Sequence, residues 1–324
     1  MCEIDISVAM ATFNGEHYIR EQIESILSQT LQPKEIVIVD DCSTDSTWEI
    51  LMEYAEKSPI LKAFRNEANM GAHQNFRKAF SLASCPYIAP SDQDDIWRND
   101  KLEVMAGVMM DHKVSLVYSQ EDVLWEDGRI TYCKADMPDM LHLMWGNNIK
   151  GHTLLFKRDL MKVYEVAKLL SFDYSLVLWA NLCNDWSSTG EALSVWRRHV
   201  GVLTTAFSDN SELVISPISS RRKTWIAIKN LRQEKSMPIL ISFTDRAKIL
   251  SMVSPYENRQ ANILSKVCEN VACQSYWSMV KASFFNMLAQ HYEGGVKRRI
   301  AHALWAARQP WVYWYDMHKL HALE

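Results

Sequence analysis

Three carboxylates crowd into four consecutive positions of the sequence, at Asp92, Asp94 and Asp95. Like charges this close repel one another and raise one another's pKa unless a cation compensates them. A divalent ion is the natural compensator, since Mg²⁺ and Mn²⁺ prefer oxygen ligands and complete their shells with phosphate oxygens and water. The stretch therefore predicts a metal and diphosphate site. A solvated acidic loop is the alternative for such a short motif taken alone.

A second group of polar and aromatic residues directly follows two apolar runs that are typical of strands: Thr12, Phe13, Asn14, Asp40 and Asp41. A planar base can stack on an aromatic ring such as Phe13. A carboxylate such as Asp41 can accept a hydrogen bond from the imide N–H of a pyrimidine. The alternative for Asp40 and Asp41 is capping of the helix that follows them. The two readings stay open at this point.

The elements that must position these residues alternate along the chain. Apolar runs predict strands at residues 4–11, 35–39, 60–64, 87–89 and 114–118. Apolar residues at helical spacing predict helices that begin near residues 19, 46, 71 and 102, with a capping box at Ser46 and Glu49. Asp127 and Gly128 predict a hairpin turn. This alternation of strands and helices favours βαβ crossovers and a mainly parallel sheet. Ligands of such sheets bind beyond the carboxyl ends of the strands.

Composition limits the remaining possibilities. The 324 residues predict one large domain with an appendage or two domains, and 48% hydrophobic with 23% charged residues indicates a folded protein. A net charge of −4 gives no general attraction to nucleic acid. The seven scattered cysteines favour a reducing compartment, and no secretory leader or run of about 18 apolar residues is found. We therefore expect a cytoplasmic protein that has no nucleic-acid partner.

Four ordered motifs within residues 4–210 carry a family resemblance. They are the series S-V-A-M-A-T-F-N-G, then V-D-D-C-S-T-D-S-T, then Asn69, Gly71 and Asn75, then S-D-Q-D-D-I-W followed by Lys101. Together they resemble glycosyltransferase family 2, especially its rhamnosyltransferase-like bacterial members. Later segments also look similar: Gly151-His152-Thr153, Phe172-Asp173 and Trp196-Arg197-Arg198-His199. Gln120 departs from the pattern, because an Asp often follows Tyr-Ser there.

The resemblance implies an α/β GT-A (Rossmann-like) fold, with a mainly parallel sheet flanked by helices and a helical C-terminal extension. It implies a metal-dependent, inverting sugar transfer that uses Mn²⁺ or Mg²⁺. Asp173 would be the catalytic base, with capping of the following helix as its alternative role. Nucleotide binding would involve Thr12, Phe13, Asn14, Asp41, Asn75 and Asp92. The metal ligands would be Asp94 and His199. The diphosphate would contact Asp92, Lys101, Arg197 and Arg198.

By the same resemblance the donor is a dTDP- or UDP-sugar, possibly of rhamnose, and the acceptor is a growing cell-surface glycan or a lipid-linked glycan. The alternative is an inactive nucleotide-sugar-binding or scaffold protein of the same fold. We expect residues 1–210 to form the catalytic domain. Residues 211–324 would form a helical region whose basic and aromatic residues either pack on that domain or contact the inner face of the membrane peripherally.

Overall fold

The computed structural model describes residues 4–138, 143, 147–167, 170–198, 238–252, 259–273, 276–289, 303–304 and 306–312. The first third of the chain alternates strands and helices as predicted. The elements are β1 (Ile6–Thr12), α1 (Ile19–Leu27), β2 (Glu35–Asp40), α2 (Thr47–Lys57), β3 (Leu61–Arg65), α3 (Ala72–Leu82) and β4 (Tyr87–Ser91).

The next part of the chain is more irregular. It contains β5 (Ile96–Trp97), α4 (Lys101–His112), β6 (Leu116–Leu124), β7 (Ile130–Cys133), a 3₁₀ turn at Gly151–Thr153, β8 (Leu154–Lys157), a second 3₁₀ turn at Arg158–Leu160, α5 (Met161–Val166), α6 (Phe172–Cys183) and β9 (Trp186–Arg197). Helices α7 (Pro238–Ser251), α8 (Arg259–Ala272) and α9 (Tyr276–Leu288) follow. The predicted helical character of the C-terminal region is confirmed for these described residues.

Burial explains why the first strands form. All six residues of β2 are buried, as expected for a strand that is covered on both faces. Helix α1 is amphipathic, and its residues Ile19, Ile23 and Ile26 are fully buried in the same core cluster as β1 and β2. The helix thus covers the sheet with its apolar face and leaves the strand ends open for the loops.

The described strands form one sheet in the order β3-β2-β1-β4-β8-β6-β9-β5, with β7 paired to β6. Pairs β2–β3, β1–β2 and β1–β4 are parallel, whereas β8 runs antiparallel to both β4 and β6. The predicted parallel arrangement therefore holds for β1 to β4, and the sheet as a whole is mixed. The chain leaves β1 toward β2 and β3 and returns to β4 on its other side, so β1 and β4 flank a topological switch point.

Two local predictions need correction. Strand β6 is a single strand from Leu116 to Leu124 with an irregular register near Gln120, so it extends well beyond the strand predicted at residues 114–118. The capping box at Ser46 and Glu49 does not form, because the Ser46 side chain makes no capping hydrogen bond. The first N–H of the helix, that of Thr47, donates to Asp45 Oδ1. The turn after β6 does place Gly128 at a positive φ of 81°.

The chain divides into two compact units. Residues 1–137, 148–162 and 172–203 form the first, and residues 138–147, 163–171 and 204–324 form the second. The boundary predicted at 210/211 falls within residues 199–237, outside the described residues, and stays a prediction. None of the described helices combines the length and apolar character needed to cross a bilayer.

A buried carboxylate joins four parts of the first unit at the end of the sheet where β2 begins. Glu35 accepts hydrogen bonds from Ser7 Oγ at 2.6 Å and from the Ser84 N–H at 2.6 Å, and it pairs with Lys62 Nζ at 2.6 Å. Burial alone would raise the pKa of Glu35, but Lys62 and the other donors outweigh it and lower this pKa from 4.5 to about 2. The ionised form of Glu35 therefore stabilises the fold.

We predict that Glu35→Gln lowers the free energy of unfolding by about 2 kcal/mol at pH 7, since a pKa held low in the folded state stabilises the protein above the unfolded pKa. This advantage of the wild type should disappear as the pH falls from about 4.5 toward 2. Urea unfolding curves measured at several pH values check both statements. Glu53→Gln is the control, because Glu53 also lies between two cations but is exposed, and solvent screens that pair. An equal loss in both variants would contradict the role of Glu35.

Candidate active site

The loops after β1 and β2 are bonded to each other and form one wall of the candidate site. We call residues 13–18 the first loop and residues 41–46 the second loop. The Asn14 N–H donates to Ser43 Oγ at 2.9 Å, and Asn14 Oδ1 accepts from the Thr44 N–H at 2.8 Å. The Gly15 N–H donates to Thr47 Oγ1 at 2.8 Å. Asn14 therefore builds the wall itself, in a left-handed conformation with φ 47°.

Asp40 has a structural role, but it does not cap the following helix, which begins at Thr47. It is fully buried, it accepts hydrogen bonds from the Ser43 N–H at 3.1 Å and from Thr12 Oγ1 at 3.3 Å, and it lies 3.3 Å from Arg65 Nε. Thr12 is buried and its hydroxyl is bonded to Asp40, and its nucleotide contact stays a prediction.

Asp41, the predicted base-binding carboxylate, is also buried and holds the loop before α3. Its Oδ1 accepts from Asn66 Nδ2 at 2.7 Å and from the Met70 N–H at 2.8 Å, and its Oδ2 accepts from the Gly71 N–H at 2.7 Å. An ionised carboxylate has about four acceptor sites, so these bonds leave room for one more donor. Its contact with the base stays a prediction.

Asn75 joins the carboxyl ends of β1 and β2. Its Nδ2 donates to Val39 O at 2.8 Å and to Thr12 O at 3.3 Å, and its Oδ1 accepts from Asn66 Nδ2 at 3.1 Å. The side chain is buried and its donors and acceptor are engaged by the protein. The structure thus gives Asn75 a positioning role beneath the nucleotide wall, and a direct nucleotide contact stays a prediction.

Phe13 differs from these residues because its side chain is 43% exposed. It is the large apolar side chain at the tip of the first loop, and nothing in its local sequence requires an aromatic ring in solvent. An exposed ring beside buried polar groups suits stacking against a planar ligand.

The acidic loop, residues 92–95, faces a buried histidine across the site. His152 Nδ1 lies 3.1 Å from Asp92 Oδ2 and 3.3 Å from Asp95 Oδ2, and its Nε2 lies 2.7 Å from Glu121 Oε2. We call Asp92, Asp95, Glu121 and His152 the carboxylate–histidine cluster. Asp92 is half-exposed, whereas the other three are buried.

Both ring nitrogens of His152 face carboxylates, which has a direct chemical consequence. A neutral imidazole has a single N–H, so it can donate to one side only; the imidazolium form donates to both. Burial opposes this charge, but Asp95, Asp92 and Glu121 outweigh it and raise the pKa of His152 well above 6.5. Without a metal ion, both ring nitrogens of His152 are therefore protonated, and the imidazolium bridges the acidic loop and β6.

The cluster also fits a divalent ion. Asp92, Asp95 and His152 offer ligand atoms within 4.8 Å of one another. Both oxygens of the Asp95 carboxylate are buried and accept no hydrogen bond from the residues that the structure describes, and burial raises the pKa of this group. With a metal on Nδ1, the Nε2–H would still donate to Glu121, the usual partner arrangement for a metal-bound histidine. The residues present thus suit Mn²⁺ or Mg²⁺ in type and spacing.

The prediction that Lys101 contacts a diphosphate needs correction. Lys101 is fully buried, its Nζ donates to His152 O at 2.7 Å, and it lies 4.1 Å from the centre of the Trp97 ring. Burial lowers the pKa of its ammonium, while Asp95 and Glu121 oppose that shift. Lys101 therefore supports the 3₁₀ turn at Gly151–Thr153, which we call the histidine turn. Its side chain has no exposed surface that could contact a ligand.

Arg197 fixes the acidic loop from its other side. Its Nε donates to Asp94 O at 3.1 Å, its Nη2 pairs with Glu21 at 2.6 Å, and its guanidinium lies 5.0 Å from the centre of the Tyr18 ring. These contacts make Arg197 a positioning residue for Asp94, whose side chain is half-buried. The predicted metal contact of Asp94 and the diphosphate contact of Arg197 stay predictions. His199 lies outside the described residues.

Lys150 is a basic residue that the sequence did not single out. Its Nζ lies 3.8 Å from the centre of the Trp196 ring, and Arg198 lies 4.7 Å from the same ring. Lys150 Nζ is also 3.8 Å from Glu121 Oε1. Lys150 thus places a cation beside the carboxylate–histidine cluster, where it can attract a diphosphate, and Arg198 shares the Trp196 ring with it.

Asp173 lies in the first turn of α6, next to the histidine turn. The ring of the preceding Phe172 packs on Gly151, where a Cβ would lie only 2.3 Å from Phe172 Cζ. Because Gly151 directly precedes His152, this contact brings the start of α6 to the cluster. Asp173 is half-buried, which suits a base that must meet an acceptor. Its alternative role, capping of the helix, stays a prediction as well.

Sequence reasoning missed Glu121 and the charge of His152. Gln120, the position where the family pattern has an Asp, is buried and donates from Nε2 to Ala135 O at 2.9 Å. The acidic residue that faces the site is its neighbour, Glu121. The register of β6 against β9 shifts on both sides of Gln120, so regular strand alternation does not predict which of the two residues faces the site.

We predict that Asp95→Asn weakens Mn²⁺ binding at least tenfold, because it removes a ligand from the cluster, and even loss of an outer partner typically costs 10- to 100-fold. Titration of free Mn²⁺ by electron paramagnetic resonance measures this affinity. Asp127→Asn is the control, since Asp127 is an exposed carboxylate paired with Arg129 in the hairpin. The same titration on Asp94→Asn tests the ligand predicted from sequence. Loss of affinity in Asp94→Asn with none in Asp95→Asn would exclude Asp95 as a ligand.

Comparison with known proteins agrees with this geometry. The chain is 34% identical over 123 residues to the putative teichuronic acid biosynthesis glycosyltransferase TuaG of Bacillus subtilis, a match that covers 38% of this chain and 49% of TuaG. It is 28% identical over 181 residues to the Escherichia coli glucosyltransferase WfgD, covering 56% and 70% of the two chains. A relative in Mycobacterium tuberculosis, 26% identical over 68% of this chain, is matched over 63% of its own length.

The fold is also that of a solved structure. The S. aureus TarS fragment 1–349 in complex with UDP-GlcNAc superposes with a TM-score of 0.53 and 18% identity, over 98% of this chain and 92% of that one. The GT-A-like fold expected from the sequence is confirmed by this likeness. The family model of Glycosyl transferase family 2 matches residues 7–162. These residues, just under half of the chain, carry the likeness to glycosyl transferase family 2.

Proposed function

We propose that this protein is an inverting, metal-dependent glycosyltransferase that moves a sugar from a nucleoside diphosphate sugar to a hydroxyl of a cell-surface or lipid-linked glycan. The observation that carries this proposal is Asp95, a buried carboxylate that accepts no hydrogen bond within the described part of the chain and lies beside Asp92 and His152 at the carboxyl edge of the sheet. A carboxylate in this situation favours a cation, and a cation at this edge favours a diphosphate ligand.

Residues of three loops would hold the donor. Phe13 stacks on the base, and Asp41 accepts from its imide N–H through the remaining acceptor site. Asp92, Asp95 and His152 hold a divalent ion, with Asp94 and His199 as further ligands proposed from the family motif. When bound, the ion neutralises charge on the diphosphate as it leaves. Lys150 and Arg198 add positive charge beside it, while Arg197 fixes the loop that carries Asp94.

Asp173 would act on the acceptor. Its carboxylate takes the proton from the attacking hydroxyl as the acceptor oxygen bonds to the anomeric carbon, opposite the bond to the departing diphosphate. The Phe172–Gly151 contact keeps the start of α6 next to the histidine turn, so the base and the metal ligands stay in one site.

The name of one relative supports a uridine donor, whereas the thymidine alternative rests on the sequence alone. WfgD is named for transfer from UDP-Glc, and TuaG is named for teichuronic acid biosynthesis. The identity of the sugar, including the rhamnose suggested by the sequence, belongs to this proposal. So do the lipid-linked acceptor and a peripheral contact with the membrane. The basic residues 297–299 that would make such a contact lie outside the described residues.

A ligand panel tests the proposal. We expect MnCl₂ together with UDP or dTDP, and with their sugars, to raise the melting temperature of the protein more than GDP or MnCl₂ alone. Release of the nucleoside diphosphate from the stabilising sugar donor then measures turnover. Stabilisation without any release would indicate a binding or scaffold protein instead of an enzyme. Absence of stabilisation by every nucleotide would refute the proposed function.

We further predict that Asp173→Asn lowers turnover about 10²- to 10⁴-fold, the usual contribution of a general base, and leaves the affinity for the nucleoside diphosphate unchanged. Initial rates of diphosphate release and calorimetric binding measure the two effects. Glu103→Gln is the matched control, since Glu103 also lies in the first turn of a helix but outside this site. If Asp173 only stabilised its helix, both variants would lose melting temperature and keep their turnover.

A further inference from the structure

The side chain of Gln93 connects the acidic loop to the first loop in a way that the proposed chemistry does not use. Its Oε1 accepts a hydrogen bond from the Phe13 N–H at 2.8 Å, and its Nε2 donates to Phe13 O at 3.0 Å. One side chain thus engages both main-chain polar groups of Phe13. Gln93 stands between Asp92 and Asp94, so the same residue that belongs to the acidic loop holds the exposed aromatic ring in place.

The opposite side of the first loop is already fixed. Asn14 and Gly15 are bonded to Ser43 and Thr47, which belong to the second loop and the start of α2. The first and second loops therefore form one body, and the Gln93–Phe13 pair ties that body to the acidic loop across the switch point between β1 and β4.

We propose that Gln93 is a positioning residue that sets the distance between the base-stacking ring of Phe13 and the metal-binding carboxylates. This inference rests on the proposed function. Base and diphosphate are parts of one donor molecule, so they bind together tightly only if the two subsites are held at the matching separation. Without the tie, each subsite would remain, but their joint affinity would fall because the wall carrying Phe13 could move relative to the acidic loop.

Gly15 offers an independent way to break the same tie. A Cβ at Gly15 would lie 2.5 Å from Gln93 Oε1, 2.7 Å from its Cδ and 3.1 Å from its Nε2, and these are its three nearest atoms. Gly15 is not among the glycines with positive φ, so its backbone accepts alanine. Gly15→Ala therefore displaces the glutamine side chain. In a protein that already carries Gln93→Ala, the added methyl group meets none of these atoms.

The experiment compares wild type, Gln93→Ala, Gly15→Ala and the double variant by calorimetry or ligand-observed NMR. The probes are MnCl₂ alone, UMP without metal, and UDP with MnCl₂. If dTDP or GDP is the diphosphate that stabilises the wild type, UMP and UDP are replaced by dTMP and dTDP or by GMP and GDP. We expect each single variant to lose about tenfold in affinity for the diphosphate with MnCl₂, the scale of two net hydrogen bonds. Affinity for each separate probe should change less than twofold. The double variant should lose no more than Gln93→Ala.

The control and the outcomes separate the possible failures. Gln29→Ala also removes a glutamine that bonds to main-chain groups on both sides, away from the first loop: it accepts from the Leu102 N–H and donates to the carbonyls of Arg98 and Ser25. It should lower the melting temperature without changing nucleotide affinity. Equal loss of UMP affinity in Gln93→Ala, or additive losses in the double variant, would overturn the positioning role alone. A wild type that binds no nucleoside diphosphate would overturn the proposed function and this inference together.

Discussion

The buried pairing of His152 with carboxylates on both sides is the interaction on which the rest of the site depends. One ring joins the acidic loop to Glu121 on β6, and Lys101 bonds to the carbonyl of the same residue from below. Burying these charges is costly unless they compensate one another, so the loop, the turn at Gly151–Thr153 and β6 must come together at the same time. The cluster therefore sets three carboxylates against one imidazolium beneath the surface that a donor would touch, and its excess of negative charge favours a further cation.

Around this cluster, many residues of the family motifs are bonded mainly to other groups of the protein, and few of their polar atoms face a ligand. Asp41 holds the loop before α3, Asn75 joins two strand ends, and Arg197 holds the acidic loop. The exposed groups are fewer and come from loop tips, as with Phe13. This division is physically reasonable, because a ligand-binding group is placed accurately only when its own backbone and neighbours are already satisfied.

The sequence predicted the parallel half of the sheet because each of its strands is a short apolar run followed by an amphipathic helix, as with β2 and α2. It also predicted that Phe13, Asp41 and Asp92 would meet, since their strands are parallel neighbours. The second half could not be read in this way. Strand β8 has only four residues, and its partners β4 and β6 are decided by pairing across the fold. The link between His152 and Glu121, 31 positions apart, has no local signal either.

The tie between Gln93 and Phe13 also has a consequence for the order of folding. Its partners are 80 positions apart in the chain, whereas the bonds between the first and second loops span about 30. Contacts of short separation pay less loop-closure entropy, so the wall formed by the first two loops can assemble while the acidic loop is still free. During synthesis the residues of this wall leave the ribosome before those of β4. The tie between Gln93 and Phe13, which forms last, is then the first contact of the donor cleft that we expect to break in the native protein. Exchange of the Phe13 amide hydrogen with solvent reports that opening.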